Sequence, residues 1–330
     1  MVNKPRSLRY QYSVLIITCL TLVFMLVALT TIGSVRLSLS EVWAAIITPD
    51  SGVHRTIVLL MRLPRNVLTI LVGANLAVAG VLMQAVMKNP LADPGITGVS
   101  SGAALVAIFI LLAAPQWIGF MPLFAFIGGA IACAMVFSLA WKDGISPLRI
   151  ILSGVAVNSI ISGFISLLSI IYSDQIHGAL LWLNGSLSGS TWADVQTLLP
   201  YTLVGLIGSF FLIRSANVLQ LGDDSAKNLG YNVNHSRLLL SAVAVFLAGV
   251  TTSVVGVIGF VGLIVPHVAR MIMGNDHKLT IPFSMALGGS ILLVADTIGR
   301  SAFGAWEIPV GIITSIVGGP FFLFLLRKRG

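Results

Sequence analysis

Hydrophobic residues occur along this chain in long uninterrupted runs rather than in an alternating pattern, and short stretches rich in proline, glycine and charge separate the runs. About 20 apolar residues in a helix cover the ~30 Å hydrocarbon core of a bilayer, whereas barrel strands alternate polar and apolar side chains. The eighth run is short and begins in a glycine-rich stretch, which indicates a tilted or broken helix. The predicted spans lie near 13–33, 66–87, 95–113, 119–140, 148–171, 193–213, 236–257, 260–273, 280–299 and 308–326.

The composition indicates the same class of protein. Hydrophobic residues make up 57% of the 330 residues and charged residues only 9%, against roughly 25% in an ordinary soluble domain. A soluble enzyme, a disordered chain and a secreted disulfide scaffold are excluded, because none could keep this much apolar surface out of water. We expect an all-α polytopic membrane protein, with residues 1–330 forming one domain of about ten transmembrane helices in a bundle.

The positive charges predict how the helices are oriented. With ten spans and the N-terminus inside, fourteen Lys and Arg residues fall on the cytoplasmic side and five on the outer side. This excess follows the positive-inside rule, so both termini are expected in the cytoplasm. The net charge of +8 therefore reflects membrane topology, and no nucleic-acid partner is expected. The five outer cations are Arg36, Arg55, Arg62, Arg65 and Arg300.

The longest predicted inner loop, residues 214–237, contains a polar segment at about 217–231. Asp223 or Asp224 can cap a short helix in it, and Gly230 can end that helix. Its apolar residues have spacings that give such a helix one apolar side. Two interpretations stay open, a docking element for a soluble partner and an ordinary interfacial turn. The apolar residues are Leu219, Leu221, Ala226 and Leu229.

Charged residues near the outer side have two possible uses. Arg62 and Arg65 flank Pro64, which predicts a rigid basic corner suited either to lipid headgroups or to carboxylates. Asp296 is the only acidic residue inside a predicted span. It lies one turn before Arg300, so it forms either an intrahelical ion pair or part of a proton relay.

The fifth predicted span carries a stripe of polar residues. Polar groups at membrane depth must face protein or water, so the stripe either joins helices or lines a transport pathway, and we favour the pathway. Four of its members follow near-helical spacing. They are Asn158, Ser162, Ser166 and Ser169.

Candidate catalytic and metal-binding residues lack, in the sequence, the partner residues that such sites require. Ser100 has the spacing of a hydrolase elbow, but that elbow needs a strand-to-helix turn and a base, and neither can be placed. His267 has no cluster of metal-ligating residues around it in sequence, and Cys19 and Cys133 lie within apolar runs. We assign no catalytic, cofactor or metal site. No phosphate-binding loop with a lysine is present, so ATP hydrolysis is not expected of this chain.

Four blocks, in this order, resemble the permease subunits of the iron–siderophore and cobalamin uptake family of ABC importers. They are residues 62–65, 80–102, 221–230 and 259–267, and the resemblance covers nearly the whole chain. It implies a ten-span permease in a bacterial cell membrane, paired with a second permease subunit that is identical or paralogous. It also implies two cytoplasmic ATPase subunits and an extracytoplasmic substrate-binding protein.

The resemblance assigns roles to particular residues. Arg62, Arg65 and Arg300 match positions that receive acidic residues of the binding protein. Pro147 and Leu148 match the inner gate, where relatives can have small polar residues. The segment that matches the ATPase-coupling element comprises Leu221, Gly222, Asp223, Asp224, Ala226, Leu229 and Gly230.

The function implied is uptake of a ferric siderophore, driven by the separate ATPase. Haem and cobalamin are alternative cargoes within the same family. An ion-coupled secondary transporter is the alternative from another class, and it would need buried ionisable residues, for which Asp296 is the only candidate.

Overall fold

The computed structural model of the chain describes residues 7–33, 35, 37–48, 52–142, 144–302 and 306–329. Arg36, one of the predicted outer cations, lies outside the described residues. Apart from an isolated bridge between Trp141 and Ile145, the described part contains only helices and their connections. The α-helices are α1 (Leu8–Thr30), α2 (Leu39–Ile47), α3 (Gly52–Arg55), α4 (Leu63–Met87), α5 (Val99–Ala113), α6 (Met121–Ala140), α7 (Pro147–Ile171), α8 (Ile176–Leu183), α9 (Trp192–Phe211), α10 (Ile213–Gln220), α11 (Asp223–Asn228), α12 (Val233–Val255), α13 (Val261–Met273), α14 (His277–Ser301) and α15 (Val310–Arg329).

Each predicted span coincides with a helix, which confirms the all-α membrane fold. Six helical segments among the described residues are long and apolar enough to cross a bilayer, and α9 with α10 forms a further candidate bent by 51°. α5, α13 and the apolar part of α15 are shorter apolar helices. The number of crossings and the orientation stay predictions. We call the end of the bundle with Arg65 the outer end and the end with residues 213–230 the inner end.

The centre of the bundle is α4, which is buried along nearly its whole length and packs against α12, α13 and α14. Glycines permit these close contacts, because a Cβ at Gly73 would collide with the backbone of Gly288, and one at Gly80 with the backbone of Gly262. Such small-residue contacts let helices in a membrane approach closely and gain van der Waals packing.

α13 is a short helix with an interrupted entry, as the sequence predicted. Its 13 residues extend only ~20 Å at 1.5 Å per residue, less than the ~30 Å hydrocarbon core. The chain leaves α12 through Gly256, at φ +77°, and enters α13 through Phe260, at φ +67°. Pro266 lies inside α13.

The predicted corner at Pro64 is wrong. A π-helical segment, Thr56–Arg62, leads directly into α4, and Gly52–Met87 forms one continuous helical run. Pro64 lacks the N–H that would bond a carbonyl of the preceding π-helical turn, and the Leu59 carbonyl in that turn accepts a hydrogen bond from Trp192 Nε1 at 2.7 Å instead.

Candidate coupling and docking sites

The inner segment from α10 to α12 contains the short helix that the sequence predicted. Gly222, at φ +106°, is the residue before α11, so the prediction that Asp223 or Asp224 caps the helix is wrong. Gly230 ends it as predicted, at φ +80°. The Gly230 N–H donates to the Lys227 carbonyl at 2.8 Å and the Tyr231 N–H to the Ala226 carbonyl at 3.0 Å. This pair of bonds is a Schellman motif, which satisfies the last carbonyls of the helix.

Asp223 fixes α11 to the rest of the bundle. Its carboxylate accepts hydrogen bonds from the Arg237 guanidinium at 3.0 and 3.1 Å and from the Lys88 ammonium at the inner end of α4. Although partial burial alone would raise the pKa of Asp223, the bonds from Lys88 and Arg237 hold that pKa below its usual value. The ionised carboxylate therefore links the coupling segment to α4 and α12.

The apolar residues of the segment divide between two environments. Ala226 and Leu219 are buried in the core, whereas Leu221 and Leu229 are 61% and 59% exposed. The expectation that all four share one apolar side is therefore wrong. The Asp224 carboxylate is exposed with Leu221 and Leu229, so the segment presents both apolar and acidic groups at the inner surface.

A buried ion-pair network lies at the outer end. The Arg65 guanidinium donates to both oxygens of the Asp296 carboxylate, with distances of 2.9, 3.0 and 3.2 Å. It also donates to the Glu307 carboxylate at 2.9 Å, and the Ser188 hydroxyl donates to the same Glu307 oxygen at 2.8 Å. Arg300 Nε lies 4.0 Å from Asp296. The predicted intrahelical pair exists, but Arg65 is the main partner of Asp296.

Arg62 and Arg300 bond to the backbone at the end of α1. Arg62 Nη1 donates to the carbonyls of Thr30 and Thr31 at 2.9 and 3.1 Å. Arg300 Nη2 donates to the Leu29 carbonyl at 3.0 Å and to Asn66 Oδ1 at 3.1 Å. The network therefore holds α1, α4 and α14 together at their outer ends.

Burial distinguishes these arginines from a free basic patch. Arg62, Arg65 and Arg300 are only 6%, 9% and 5% exposed, so the predicted surface patch is wrong as a description of the isolated chain. Their docking role stays a prediction. No sequence pattern indicated Glu307, which is half-exposed and pairs with Arg65 from a distant segment. Burial alone would raise the pKa of Glu307, but hydrogen bonds from Ser188 and Arg65 hold it below the usual value.

The polar stripe of α7 separates into two parts. Asn158 is half-buried, accepts a hydrogen bond from the Ser101 hydroxyl and donates to the Gly95 carbonyl at 3.3 Å, so it contacts α5 and the turn before it. Ser162 and Ser166 are exposed and Ser169 is half-exposed. Ser166 and Ser169 donate to carbonyls one turn earlier in α7, at 2.9 and 2.8 Å. The pathway assignment of these residues stays a prediction.

The two predicted gate residues begin α7 at the inner end. Pro147 is the first residue of the helix, which suits its fixed φ and missing N–H. Leu148 follows and is 64% exposed. The pair therefore places one rigid and one exposed apolar group where α7 meets the inner surface, and their gating role stays a prediction.

Comparison with known proteins agrees with this arrangement. The sequence model of the FecCD transport family matches residues 20–328. The chain is 38% identical to the Fe(3+)-citrate import system permease protein YfmD of Bacillus subtilis, over 95% of this chain and 94% of that protein. It is 45% identical to the cobalamin import system permease protein BtuC of Halobacterium salinarum, over 82% of this chain and 73% of that protein.

A solved structure has the same fold. It is a metal-chelate type ABC transporter in an inward-facing conformation, with a TM-score of 0.83, 30% identity and coverage of 96% of this chain and 99% of that one. The family model covers residues 20–328. It therefore includes the long buried helix α4, the short helix α13 and the inner segment. This chain belongs to the FecCD transport family and is an ABC importer permease.

Proposed function

We propose that this permease imports a ferric siderophore, fed by an extracytoplasmic binding protein and driven by two separate cytoplasmic ATPase subunits. The observation that supports the proposal best is that some residues of the coupling segment are anchored to the bundle while others are exposed. Asp223 and Ala226 attach α11 to the bundle, and Leu221 and Leu229 remain exposed for a partner. Because Asp223 and Ala226 already hold α11 in place, the exposed leucines are not needed for its packing and are available for contact with a partner.

The proposed transmission of force runs through α4. Its 25 residues, Leu63–Met87, extend ~37 Å at 1.5 Å per residue. Arg65 of the outer network lies in its first turn, and Lys88 directly follows its last residue. Lys88 pairs with Asp223 at the base of α11. Movement of the coupling segment by the ATPases would reach the outer network through this helix, and α12, α13 and α14 would move with it because they pack against it.

The transport pathway would form between α7 and a second permease subunit, identical or paralogous. α7 supports this role because most of it is exposed in the isolated chain, including Ser162 and Ser166. Pro147 and Leu148 would narrow the pathway at the inner end. The permease carries out no covalent chemistry in this proposal, so it needs no catalytic group.

The outer network would receive the binding protein. Glu307 already occupies one side of Arg65, so an acidic residue of the binding protein would have to replace it there. The half-exposed position of Glu307 supports such an exchange, because an exposed ion pair contributes only about 0–1 kcal/mol.

Relatives support a ferric chelate as cargo, since one of them is a Fe(3+)-citrate permease and the matched structure is of metal-chelate type. Cobalamin is the second candidate because the BtuC relative is named for it, and haem is the third. Competition among labelled ferric citrate, ferric hydroxamate, haem and cobalamin in producing cells tests this choice. We expect accumulation of a ferric chelate, whereas uptake of cobalamin or haem alone would contradict it.

The coupling proposal is tested with Leu229→Asp and a matched control, Asn275→Asp. Both add one negative charge to the inner surface, and Asn275 is exposed but outside the coupling segment. Burial of a leucine contributes about 1.5–3 kcal/mol, so L229D should weaken ATPase binding roughly 10- to 100-fold. ATP-dependent uptake and co-purification of the ATPase should be lost in L229D and kept in N275D. Unchanged uptake by a folded L229D protein would refute the coupling role.

A further inference from the structure

A basic cavity lies at the inner end, where the loop between α6 and α7 meets α11 and the start of α12. Its volume is about 560 Å³. Asp223, Lys227 and Gly230 of the coupling segment line one side of it, and the rest of its lining comes from the loop after α6, the start of α7 and the start of α12. Its charged lining residues are Lys142, Arg149, Lys227, Arg237 and Asp223.

The positive charge of the cavity is only partly neutralised. Asp223 is engaged by Lys88 and Arg237, and no described carboxylate pairs with Lys142 or Arg149. Arg237 is 4% exposed, and its Nε has no hydrogen-bond partner among the described residues. The N-terminus of α12 also faces the cavity through Val233, and helix N-termini favour anions. The cavity is therefore suited to a negatively charged group.

An apolar groove of about 250 Å³ lies between α6 and α12. Its α6 residues are three to four positions apart, as are its α12 residues, so each set lies on one helix face. Ser241 in the groove lies one helical turn after Arg237 in the cavity, on the same face of α12. Phe137 in the groove lies on the last turns of α6 before Lys142. The groove therefore continues from the cavity toward the membrane interior. It is lined by Ala130, Cys133, Ala134, Phe137, Leu238, Ser241, Ala242 and Val245.

We propose that this flank of the permease binds an anionic phospholipid of the leaflet at the inner end, with its phosphate in the basic cavity and an acyl chain in the groove. Basic pockets between membrane helices recognise such headgroups, and a free phosphate would not need the apolar groove. The Ser241 hydroxyl in the groove has no hydrogen-bond partner among the described residues and can donate to a glycerol ester. The headgroup would contact Lys227 and Gly230, so the lipid would touch the coupling segment.

Binding is measured on the full chain in detergent, by native mass spectrometry during titration with phosphatidylglycerol, phosphatidylcholine or inorganic phosphate. Two variants separate the two parts of the site, and two more serve as controls. K142Q/R149Q removes two cations, A134F fills the groove, and R214Q and L139F are controls on exposed residues that line neither cavity. Thermal unfolding confirms that each variant is folded.

We expect the wild type to prefer phosphatidylglycerol. K142Q/R149Q should reduce that preference roughly 30-fold, since each cation near the membrane surface contributes about 1 kcal/mol. A134F should weaken the binding of both lipids. R214Q and L139F should bind both lipids as the wild type does. Equal binding of the two lipids by the wild type would overturn the proposal. So would phosphate that binds as tightly as phosphatidylglycerol, which would assign the cavity to a free anion. Loss of dimerisation in A134F with lipid binding unchanged would also overturn it, by assigning the groove to a second copy.

Discussion

Replacing Asp296 by Leu should strongly destabilise the outer end of the bundle. The Asp296 side chain is 2% exposed and holds Arg65 through three short N–O contacts. It is also the nearest carboxylate to Arg300 among the described residues. Leucine has a similar volume but accepts no hydrogen bond, so D296L leaves two buried guanidinium groups with only the half-exposed Glu307 nearby.

The size of the effect follows from burial. Removal of one partner from a buried ion pair costs about 3–5 kcal/mol, because the remaining charge is desolvated without compensation. Glu307→Gln removes a half-exposed partner of the same arginine and should cost only about 0–1 kcal/mol. Replacing both buried partners, as in R65M/D296L, should restore much of the loss, since well-packed apolar pairs can substitute for buried ion pairs.

Cys133 offers a direct assay. It is buried, whereas Cys19 is exposed, so in a C19S background a thiol-reactive dye reports exposure of Cys133 as the protein unfolds. The apparent Tm should fall in the order wild type, E307Q, R65M/D296L and D296L. Equal Tm values for D296L and E307Q would refute the argument that burial decides the cost. A lower Tm for R65M/D296L than for D296L would refute the argument that the unpaired Arg65 causes the destabilisation in D296L.

Three further predictions concern packing, pH and coupling. Gly80→Ala should lower the free energy of unfolding by about 1–3 kcal/mol, because the added methyl overpacks against α13. Gly163→Ala, with nothing within 4 Å of its added Cβ, should raise it by about 0.5–1 kcal/mol. Equal Tm values for the two variants would contradict this. The pKa of Glu307 is held below its usual value of 4.5, so its stabilising effect is present at neutral pH and lost as pH falls through that lowered pKa. The Tm difference between wild type and E307Q should vanish in that acidic range, and a difference that persists there would refute the pairing. Asp223→Asn should reduce both ATP-dependent uptake and thermal stability. Asp224→Asn, at a fully solvated carboxylate, should leave stability unchanged. An equal fall in Tm for the two variants would contradict the anchoring role of Asp223.

The helices were predictable because their signal is local. A membrane helix must satisfy its own backbone hydrogen bonds and present apolar side chains to the lipid. Each helix can therefore be recognised from a run of about 20 residues. The short α13 was also predictable, since its glycine-rich entry at Gly256 and Phe260 interrupts the run. Gly230 could be placed as the end of α11 for the same reason, because a helix stop depends on the local backbone.

The contacts of the outer network could not be predicted from such signals. Asp296 has a partner one turn away, Arg300, and local spacing favours that pair. Its shorter contact is with Arg65, which the sequence separates from it by 231 positions. The partner of Arg65 in the loop before α15, Glu307, is equally distant in sequence. Tertiary packing of α4 against α14 brings these groups together, and no periodicity in either helix encodes it.

The two exposed leucines of the coupling segment illustrate the same limit. Spacing places Leu221 and Leu229 with Leu219 and Ala226, yet Gly222 turns the chain between α10 and α11, so the four residues do not share one helix. A single periodic pattern spanning a break therefore predicts the wrong face.

Reconstitution of the purified chain into proteoliposomes, with and without its ATPase, tests the central claim most directly. Labelled ferric chelate is presented with the binding protein, and ATP is enclosed on the side of the inner segment. We predict uptake only when the ATPase and ATP are both present, and no effect of a proton uncoupler at constant ATP. Uptake by the permease alone, or collapse of uptake with the uncoupler, would contradict the account.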